Sequence, residues 1–126
     1  MVLHKQHLMI LTLVTCLTTA ANALEGIATY YKPPYTPSAC YEYEYHGVLV
    51  AAANDALWNH GNVCGQTYWV TCTGITNNRP QHPCKNHSTV FIEIVDYCKG
   101  CNTTINLSED AFKLIAYPRV GKIKID

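Results

Sequence analysis

Residues 90–101 read Val-Phe-Ile-Glu-Ile-Val-Asp-Tyr-Cys-Lys-Gly-Cys. The first part of this stretch is apolar and rich in β-branched residues, and turn-forming residues bound it on both sides. This pattern predicts a buried β-strand over residues 88–96. The strand ends at the carboxylate of Asp96, and a Cys-x-x-Cys pair, Cys98 and Cys101, follows at once. The stretch therefore predicts a strand that presents an acid beside two cysteines.

Shorter segments on both sides have strand patterns, and two short helices accompany them. We expect strands over residues 26–31, 48–53, 66–73, 103–107 and 121–126, and an exposed loop or sheet edge over 41–45. Asn54 is the expected cap of a helical turn over 55–58. Ser108 is the expected cap of a second helix whose apolar face comprises Ala111, Phe112, Leu114 and Ile115. The class is mostly β with about six strands, and a small closed barrel would protect their edges.

The amino terminus has the pattern of a secretory signal peptide. A lysine precedes an apolar run over residues 8–17, and Ala21-Asn22-Ala23 fits the small-x-small cleavage signal. The alternative, a membrane anchor, is disfavoured because the run is too short to span about 30 Å of hydrocarbon. We therefore expect a leader over residues 1–23, one secreted domain over 24–126, and no membrane-embedded segment.

Six of the seven cysteines lie downstream of the leader: Cys40, Cys64, Cys72, Cys84, Cys98 and Cys101. An even number of thiols in an oxidising compartment predicts structural disulfides, although six cysteines allow fifteen pairings. Redox exchange at the Cys-x-x-Cys motif is one alternative, and it needs a thiol at a helix N-terminus. A zinc site is another, but thiolate sites are uncommon in such compartments. The histidines have no ligand spacing, so neither a metal nor a cofactor is predicted.

Composition limits the choice of partner. Nine basic residues balance nine acidic ones, and no basic stripe is present, which argues against nucleic-acid binding. Nine tyrosines and two tryptophans are compatible with a carbohydrate or protein contact surface and equally with strand residues. Three N-glycosylation sequons begin at Asn86, Asn102 and Asn106.

Five motifs, in this order, carry a family resemblance. They are Gly-Ile-Ala-Thr-Tyr-Tyr at 26–31, Ala-Cys at 39–40, Cys-Gly-Gln-Thr-Tyr-Trp-Val-Thr-Cys at 64–72, the stretch 90–101, and Leu-Ser-Glu-Asp-Ala-Phe at 107–112. Together they resemble the plant natriuretic peptide and blight-associated protein group, small secreted relatives of the expansin N-terminal domain. The resemblance implies a six-stranded double-psi β-barrel like that of family-45 endoglucanases. It also implies the disulfides Cys40–Cys64, Cys72–Cys84 and Cys98–Cys101.

The resemblance also bears on catalysis. Asp96 matches the acid position of the family, although a strand-end cap is an equally common role for an aspartate at such a place. Inverting glycosidases need a second carboxylate, roughly 6.5–9.5 Å away. Residues 32–34, where that base would belong, read Lys-Pro-Pro, and Glu42 and Glu44 match no family position. The chain is therefore predicted not to hydrolyse glycans, and Asp96 is a vestigial acid. A single-acid, lytic transglycosylase-type reaction is the remaining enzymatic alternative.

A groove without hydrolysis is the predicted site. By the resemblance, Thr29, Tyr31 and Asp96 line it, and Tyr68 or Trp69 serves as an aromatic platform. Strand alternation sends Tyr68 and Trp69 to opposite faces, so only one of them can face the groove.

The leading functional hypothesis is a secreted, apoplastic, monomeric signalling protein of the natriuretic peptide type. By the resemblance it acts through a plasma-membrane receptor in water and ion homeostasis and in stress responses, and residues 37–70 carry the activity. Gln66, Thr67 and Trp69 stand where the family usually has basic residues. The alternative is an expansin-like module that binds or loosens cell-wall polysaccharide. A defence or protease-inhibitor role, seen among barwin-like relatives, is a further alternative.

Overall fold

The computed structural model describes residues 24–76 and 82–126. The predicted leader lies outside these residues, as does part of the loop after the third strand. Six strands lie in the described ranges: β1 Gly26–Tyr31, β2 Val50–Ala53, β3 Thr67–Ile75, β4 Thr89–Tyr97, β5 Ile105–Ser108 and β6 Ile123–Ile125. The helices are α1 Asp55–Trp58 and α2 Glu109–Ile115, and 3₁₀ turns cover Asn59–Gly61 and Pro118–Val120.

The strands close into one barrel in the order β1-β5-β2-β4-β3-β6. Two of the pairings, β1 with β5 and β2 with β4, are parallel, and the others are antiparallel. The described chain thus forms the predicted six-stranded double-psi β-barrel with two short helices. Closure pairs both edges of the sheet, so none of its strands offers a long free edge for aggregation.

The barrel is filled by alternate residues of its strands and closed by one helix. On β4, Val90, Ile92 and Ile94 point inward and are at most 4% exposed. On α2, Phe112 and Ile115 are fully buried and pack against the same cluster. The predicted apolar face of α2 is wrong at Leu114, which is 53% exposed. One residue corresponds to about 100° of rotation, so Leu114 turns away from the face that Ala111 and Ile115 share.

Side-chain caps define both helix starts, as predicted. The Asn54 Oδ1 accepts a hydrogen bond from the Leu57 amide at 2.8 Å. The Ser108 hydroxyl accepts from the Ala111 amide at 3.1 Å and donates to the Val48 carbonyl at 2.6 Å. Ser108 is fully buried, so these bonds satisfy a hydroxyl that has no access to water.

Several element boundaries differ from the sequence prediction. β5 begins at Ile105 instead of residue 103, because Thr104 bonds to β1 in a turn: its amide donates to the Ile27 carbonyl and its hydroxyl accepts from the Ile27 amide. β6 is confined to Ile123–Ile125, since a 3₁₀ turn and the positive φ of Gly121 precede it.

Three disulfides staple the barrel, Cys40–Cys64, Cys72–Cys84 and Cys98–Cys101. The first holds the long segment between β1 and β2 against the segment before β3. The third closes a turn directly after β4, and no helix begins there. The helix N-terminus that a redox Cys-x-x-Cys motif uses to activate its thiol is therefore missing at Cys98–Cys101.

Candidate functional site

A β-bulge near the end of β4 decides where Asp96 points. Ala51 of β2 pairs with Ile94, but the next residue, Ala52, pairs with Asp96, so Val95 is an extra residue on β4. Without this insertion, strand alternation would send Asp96 into the barrel with Ile92 and Ile94. The bulge turns Asp96 to the outer face, and bulges commonly re-aim a side chain in this way.

Asp96 belongs to a row of residues that crosses four strands in register. Thr29 of β1 pairs with Asn106 of β5, Asn106 pairs with Ala52 of β2, and Ala52 pairs with Asp96 of β4. We call Thr29, Asn106, Ala52 and Asp96 the polar row. Residues paired in register point to the same face of a sheet. The row thus places hydroxyl, amide and carboxylate groups on either side of a small alanine.

Hydrogen bonds hold the Thr29 end of the row in place. The Thr29 hydroxyl donates to the Asn106 Oδ1 at 3.0 Å, and its oxygen lies 3.2 Å from the Thr103 hydroxyl oxygen. Thr103 is only 6% exposed, and its hydroxyl lies 3.5 Å from the Ile105 carbonyl. The side-chain amide nitrogen of Asn106 is not used in these bonds and can donate to a ligand.

The Asp96 carboxylate is held by two backbone amides. Its Oδ1 accepts from the amides of Ala39 and Tyr97, both at 2.9 Å. These bonds link the end of β4 to the segment that contains Cys40, whose own amide donates to the Val95 carbonyl at 3.0 Å. The second carboxylate oxygen, Oδ2, is outside these bonds and is the acceptor that Asp96 can offer to a ligand.

Tyr31 borders the polar row and belongs to a small second apolar cluster. It packs with Tyr35, Val50 and Val95, and its ring meets that of Tyr35 edge-on with centroids 5.3 Å apart. Its hydroxyl is buried and has no hydrogen-bond partner among the described residues. Burial raises the pKa of this hydroxyl well above its ordinary value, and the negative charge of Asp96 and the neighbouring Tyr35 raise it further. Tyr31 therefore stays neutral beside Asp96.

Tyr35 connects this cluster to α2. Its hydroxyl donates to the Asp110 Oδ2 at 2.6 Å. Burial, and then this bond to Asp110, raise the pKa of Tyr35. Asp110 is therefore a carboxylate engaged by a tyrosine at the start of α2.

The structure brings together three of the five predicted groove residues. Thr29 and Asp96 share the polar row, and Tyr31 lies beside it. Trp69 lies elsewhere: it pairs with Phe91 on the β3–β4 ladder and is 68% exposed. Tyr68 pairs with the core residue Ile92, on the opposite face from Trp69, and is 37% exposed.

Asn106 is the row residue that sequence reasoning did not identify. In the sequence it is visible as a glycosylation sequon, Asn106-Leu107-Ser108, and it stands two residues before the helix cap Ser108. Only the parallel β1–β5 pairing shows that it faces Thr29.

The Cys40–Cys64 loop packs on the outside of β4 through His46. The His46 ring stacks on Tyr41 with centroids 3.8 Å apart. Its Nδ1 lies 3.0 Å from a carboxylate oxygen of Glu93, and its Nε2 lies 3.3 Å from Glu44. Tyr43 and Tyr45, on the same loop, project into solvent and are 80% and 71% exposed.

A second aromatic cluster supports the Cys98–Cys101 turn. The rings of Trp58 and Tyr97 stack with centroids 4.7 Å apart and an interplanar angle of 9°. The Tyr97 hydroxyl donates to the Asp55 Oδ1 at 2.5 Å, and the Gly100 amide donates to the same oxygen at 3.3 Å. The bond from Tyr97, and then that from Gly100, lower the pKa of Asp55. The carboxylate therefore ties α1 to the turn.

The described ranges contain neither a cluster of metal ligands nor a membrane-spanning helix. Within residues 24–76 and 82–126, no three His, Cys, Asp or Glu side chains are grouped as ligands for a metal ion. No helix in those ranges is long and apolar enough to cross a bilayer.

Sequence comparison identifies the family. An EG45-like domain containing protein of Citrus jambhiri is 52% identical over 121 residues, which cover 94% of this chain and 92% of the relative. The chain belongs to the EG45-like domain family. The putative EG45-like domain containing protein 1 of Arabidopsis thaliana is 46% identical and covers 91% of the chain. A family model described as lytic transglycolase matches residues 50–126, which include five strands of this EG45-like domain.

Solved structures share the fold. The apo expansin of Clavibacter michiganensis superposes with a TM-score of 0.58 at 23% identity. The match covers 80% of the EG45-like chain but 46% of that expansin, so this chain spans about half the length of that protein. A Streptomyces papain inhibitor gives a TM-score of 0.56 at 24% identity, with 82% and 91% of the two chains covered.

Proposed function

We propose that this protein is a secreted, non-hydrolytic cell-wall module that binds a polysaccharide chain along the polar row. The observation that carries the proposal is the register of Thr29, Asn106, Ala52 and Asp96 across four strands. The row offers a hydroxyl, an amide and a carboxylate over a span of three strand spacings, roughly 14 Å. A sugar chain is rich in hydroxyls that pair with such donors and acceptors, and the Tyr31 ring beside the row adds an apolar contact.

A solved relative supports this proposal. A variant of the Clavibacter michiganensis expansin was solved in complex with cellohexaose, and it shares the barrel with a TM-score of 0.59 at 24% identity. The polar row of this chain offers hydroxyl, amide and carboxylate groups that suit a ligand of the same hydroxyl-rich chemistry.

The groups in the row support the absence of hydrolysis in this proposal. Among its residues Asp96 is the one carboxylate, and its Oδ1 already accepts two amide hydrogen bonds. Asn106, two strands away, is an amide and can neither protonate a leaving oxygen nor activate water. An inverting mechanism needs two carboxylates placed across the scissile bond. The row therefore supports binding without hydrolysis.

A depletion assay against insoluble cellulose, xyloglucan-coated cellulose and pectin tests this proposal. We expect saturable binding by the wild type, weaker binding by Asp96→Asn and Asn106→Ala, and unchanged binding by Leu114→Ala, an exposed control on α2 outside the row. Release of reducing ends is measured on the same samples and should stay at the level of the buffer. Equal binding by all variants, or the release of reducing ends, would contradict the proposal.

A second function is extracellular signalling in water and ion homeostasis through a plasma-membrane receptor. The observation that favours it is the exposure of Tyr43 and Tyr45, which project from the disulfide-closed Cys40–Cys64 loop without packing on the barrel. Such rigidly mounted aromatic side chains are typical anchors of protein contacts. The test treats plant protoplasts with the wild type and with the variants Tyr43→Ala and Tyr45→Ala. We expect the wild type to cause swelling and each variant to lose this effect. Swelling that persists in both variants would contradict a role for this loop.

A further inference from the structure

The outer face of β3 and β4 presents three cross-strand pairs that the polar row does not use. The pairs are Thr67 with Glu93, Trp69 with Phe91, and Thr71 with Thr89. Of the four residues between them, Val70, Val90 and Ile92 are buried in the barrel, and Tyr68, on the same face as these three, is 37% exposed. Strand alternation thus aims all three pairs at solvent on one face.

The central pair is an exposed aromatic surface. Trp69 is 68% exposed and Phe91 is 45% exposed, and their ring centroids lie 4.7 Å apart with the planes tilted by 45°. On one side of them, the Thr71 and Thr89 hydroxyl oxygens lie 2.9 Å apart. On the other side, the Glu93 carboxylate is engaged by His46. The surface is therefore apolar at its centre and bordered by hydrogen-bonding groups.

The size and charge of this surface limit what can bind there. The exposed parts of the two rings amount to roughly 250 Å², because aromatic side chains bury about 150–250 Å² each. A stable protein interface needs about 800 Å² from each partner. No lysine or arginine belongs to the three pairs, so the surface lacks the charge that anionic lipids or nucleic acids require. A small, uncharged ligand with an apolar face fits both limits.

Sugar rings have this chemistry. The axial C–H groups of an equatorially linked pyranose form an apolar face that packs on the electron-rich face of an aromatic ring. Its equatorial hydroxyls lie at the rim, at the level of the bordering threonines. Coplanar rings would suit a flat crystalline surface, whereas the 45° tilt between Trp69 and Phe91 suits a single chain whose successive sugars are twisted.

We propose that Trp69 and Phe91 form a second binding surface, for one β-linked polysaccharide chain, separate from the polar row. Phe91 and Asp96 are five residues apart on β4, and because Val95 is an extra residue in the bulge they lie about 13 Å apart along the strand. Between them, His46 holds the Cys40–Cys64 loop against Glu93. The inference goes beyond the proposed function, because a domain with two surfaces can hold two chains or two segments of one chain. Attachment at both raises the overall affinity without any new contact at either.

An NMR titration reads both surfaces at once. The chain has two tryptophans, so the indole N–H signals of Trp58 and Trp69 can be assigned with one variant. Cellohexaose and a xyloglucan oligosaccharide are titrated into the labelled protein over residues 24–126. We expect the Trp69 indole and Phe91 ring signals to shift while the Trp58 indole, stacked on Tyr97, stays in place.

Variants separate the second surface from the first. Trp69→Ala should weaken binding at this surface about tenfold. Trp69→Tyr should restore most of it, and Leu114→Ala, which removes an exposed apolar side chain from α2, should change nothing. Because Trp69 is exposed, its replacement should leave the fold intact, and the backbone spectrum verifies this. Thr29→Val, which weakens binding at the polar row, should leave the Trp69 shifts unchanged.

Each other outcome has a definite meaning. Shifts at the polar row with none at Trp69 would overturn this inference and leave the proposed function standing. Shifts at Trp69 alone would support the inference and contradict the proposed site in the row. Trp69 shifts that disappear in Thr29→Val would show a single site and overturn the inference. Shifts that depend on protein concentration without sugar would show self-association and overturn it as well.

Discussion

Thr29 and Asn106 face each other across the parallel β1–β5 pair, and the Thr29 hydroxyl donates to the Asn106 Oδ1 at 3.0 Å. This bond orients the asparagine amide so that its nitrogen points away from Thr29. Thr29 on β1 thus sets the orientation of the side-chain amide of Asn106, which lies 77 positions later in the sequence.

The Thr29–Asn106 bond can be removed with a nearly isosteric substitution. Thr29→Val leaves Asn106 Oδ1 without its donor and frees the amide to rotate. We expect polysaccharide binding to weaken roughly two- to tenfold and the free energy of unfolding to fall by about 1 kcal/mol. Binding isotherms and urea denaturation measure the two effects. Unchanged binding in a folded Thr29→Val protein would show that the orientation of Asn106 is irrelevant.

The sequons at Asn102 and Asn106 should differ in use. Asn102 is exposed in the turn after Cys101, whereas a glycan on the Asn106 side-chain nitrogen, which points away from Thr29, would cover the polar row. We expect the secreted protein to carry a glycan at Asn102 and none at Asn106. Enzymatic deglycosylation in heavy-oxygen water followed by peptide mass spectrometry locates the modified asparagine. Heavy oxygen at Asn106 in protein that still binds polysaccharide would refute the prediction.

Stability at high pH should depend on Tyr31. Its folded-state pKa lies above the ordinary value of about 10, so the unfolded chain loses the proton first as pH rises. The stabilisation is complete below pH 10 and is lost as pH rises through the folded pKa. We expect the urea concentration at the unfolding midpoint of the wild type to decrease as the pH is raised from 9 to 11.5. The decrease should be smaller for Tyr31→Phe.

The same substitution has a consequence at neutral pH. The Tyr31 hydroxyl is buried without a partner in the described part of the chain, so its removal should leave stability at pH 7 unchanged or raise it by about 1 kcal/mol. Tyr45→Phe, which alters a tyrosine 71% exposed, is the control and should leave the alkaline fall as it is. A marked loss of stability in Tyr31→Phe at pH 7 would contradict the buried, unpaired hydroxyl.

Asp55 should contribute to stability at the acidic end. The hydrogen bonds from Tyr97 and Gly100 lower its pKa in the folded protein. The contribution is present above the unfolded pKa of about 3.9 and is lost as pH falls through the lower folded value. The difference between the denaturation midpoints at pH 6 and pH 3 should therefore be smaller in Asp55→Asn than in the wild type. Glu42→Gln, at an exposed carboxylate, should leave that difference unaltered.

Hydrogen exchange gives a local check on the same contact. The Gly100 amide donates to Asp55 Oδ1, so its exchange should accelerate in Asp55→Asn while that of the Cys98 amide, which donates to the Ala53 carbonyl, stays slow. Equal exchange of Gly100 in both proteins would show that Asp55 does not hold the turn.

Local patterns predicted most of the elements. The β-branched run over residues 88–96 is β4 with a shift of one residue, because buried β-branched side chains favour strands wherever they pair. Ser108 and Asn54 cap helices as expected, since a side-chain cap depends on residues only three positions away. Leu114 was assigned to the wrong face because a helix of seven residues leaves little periodicity to read.

The site was predictable only in part. Thr29, Tyr31 and Asp96 were selected by the family resemblance, and the structure places them near one another. Asn106 was missed because its partner, Thr29, is distant in sequence. Trp69 was predicted to lie in the groove with Asp96, but the Cys40–Cys64 loop lies between the two residues. Neither relationship leaves a local trace, since both depend on which strands become neighbours.

The sequence by itself determined that this chain is a mostly β, cysteine-rich domain with strands and caps at definite places. These properties depend on side-chain volume, branching and short-range hydrogen bonds, which neighbouring residues specify. Only the tertiary structure decided that Asp96 faces outward, through one extra residue in β4, and that Asn106 stands in the same row. Strand order and bulges depend on pairings between distant segments, and the closure of the barrel selects them together.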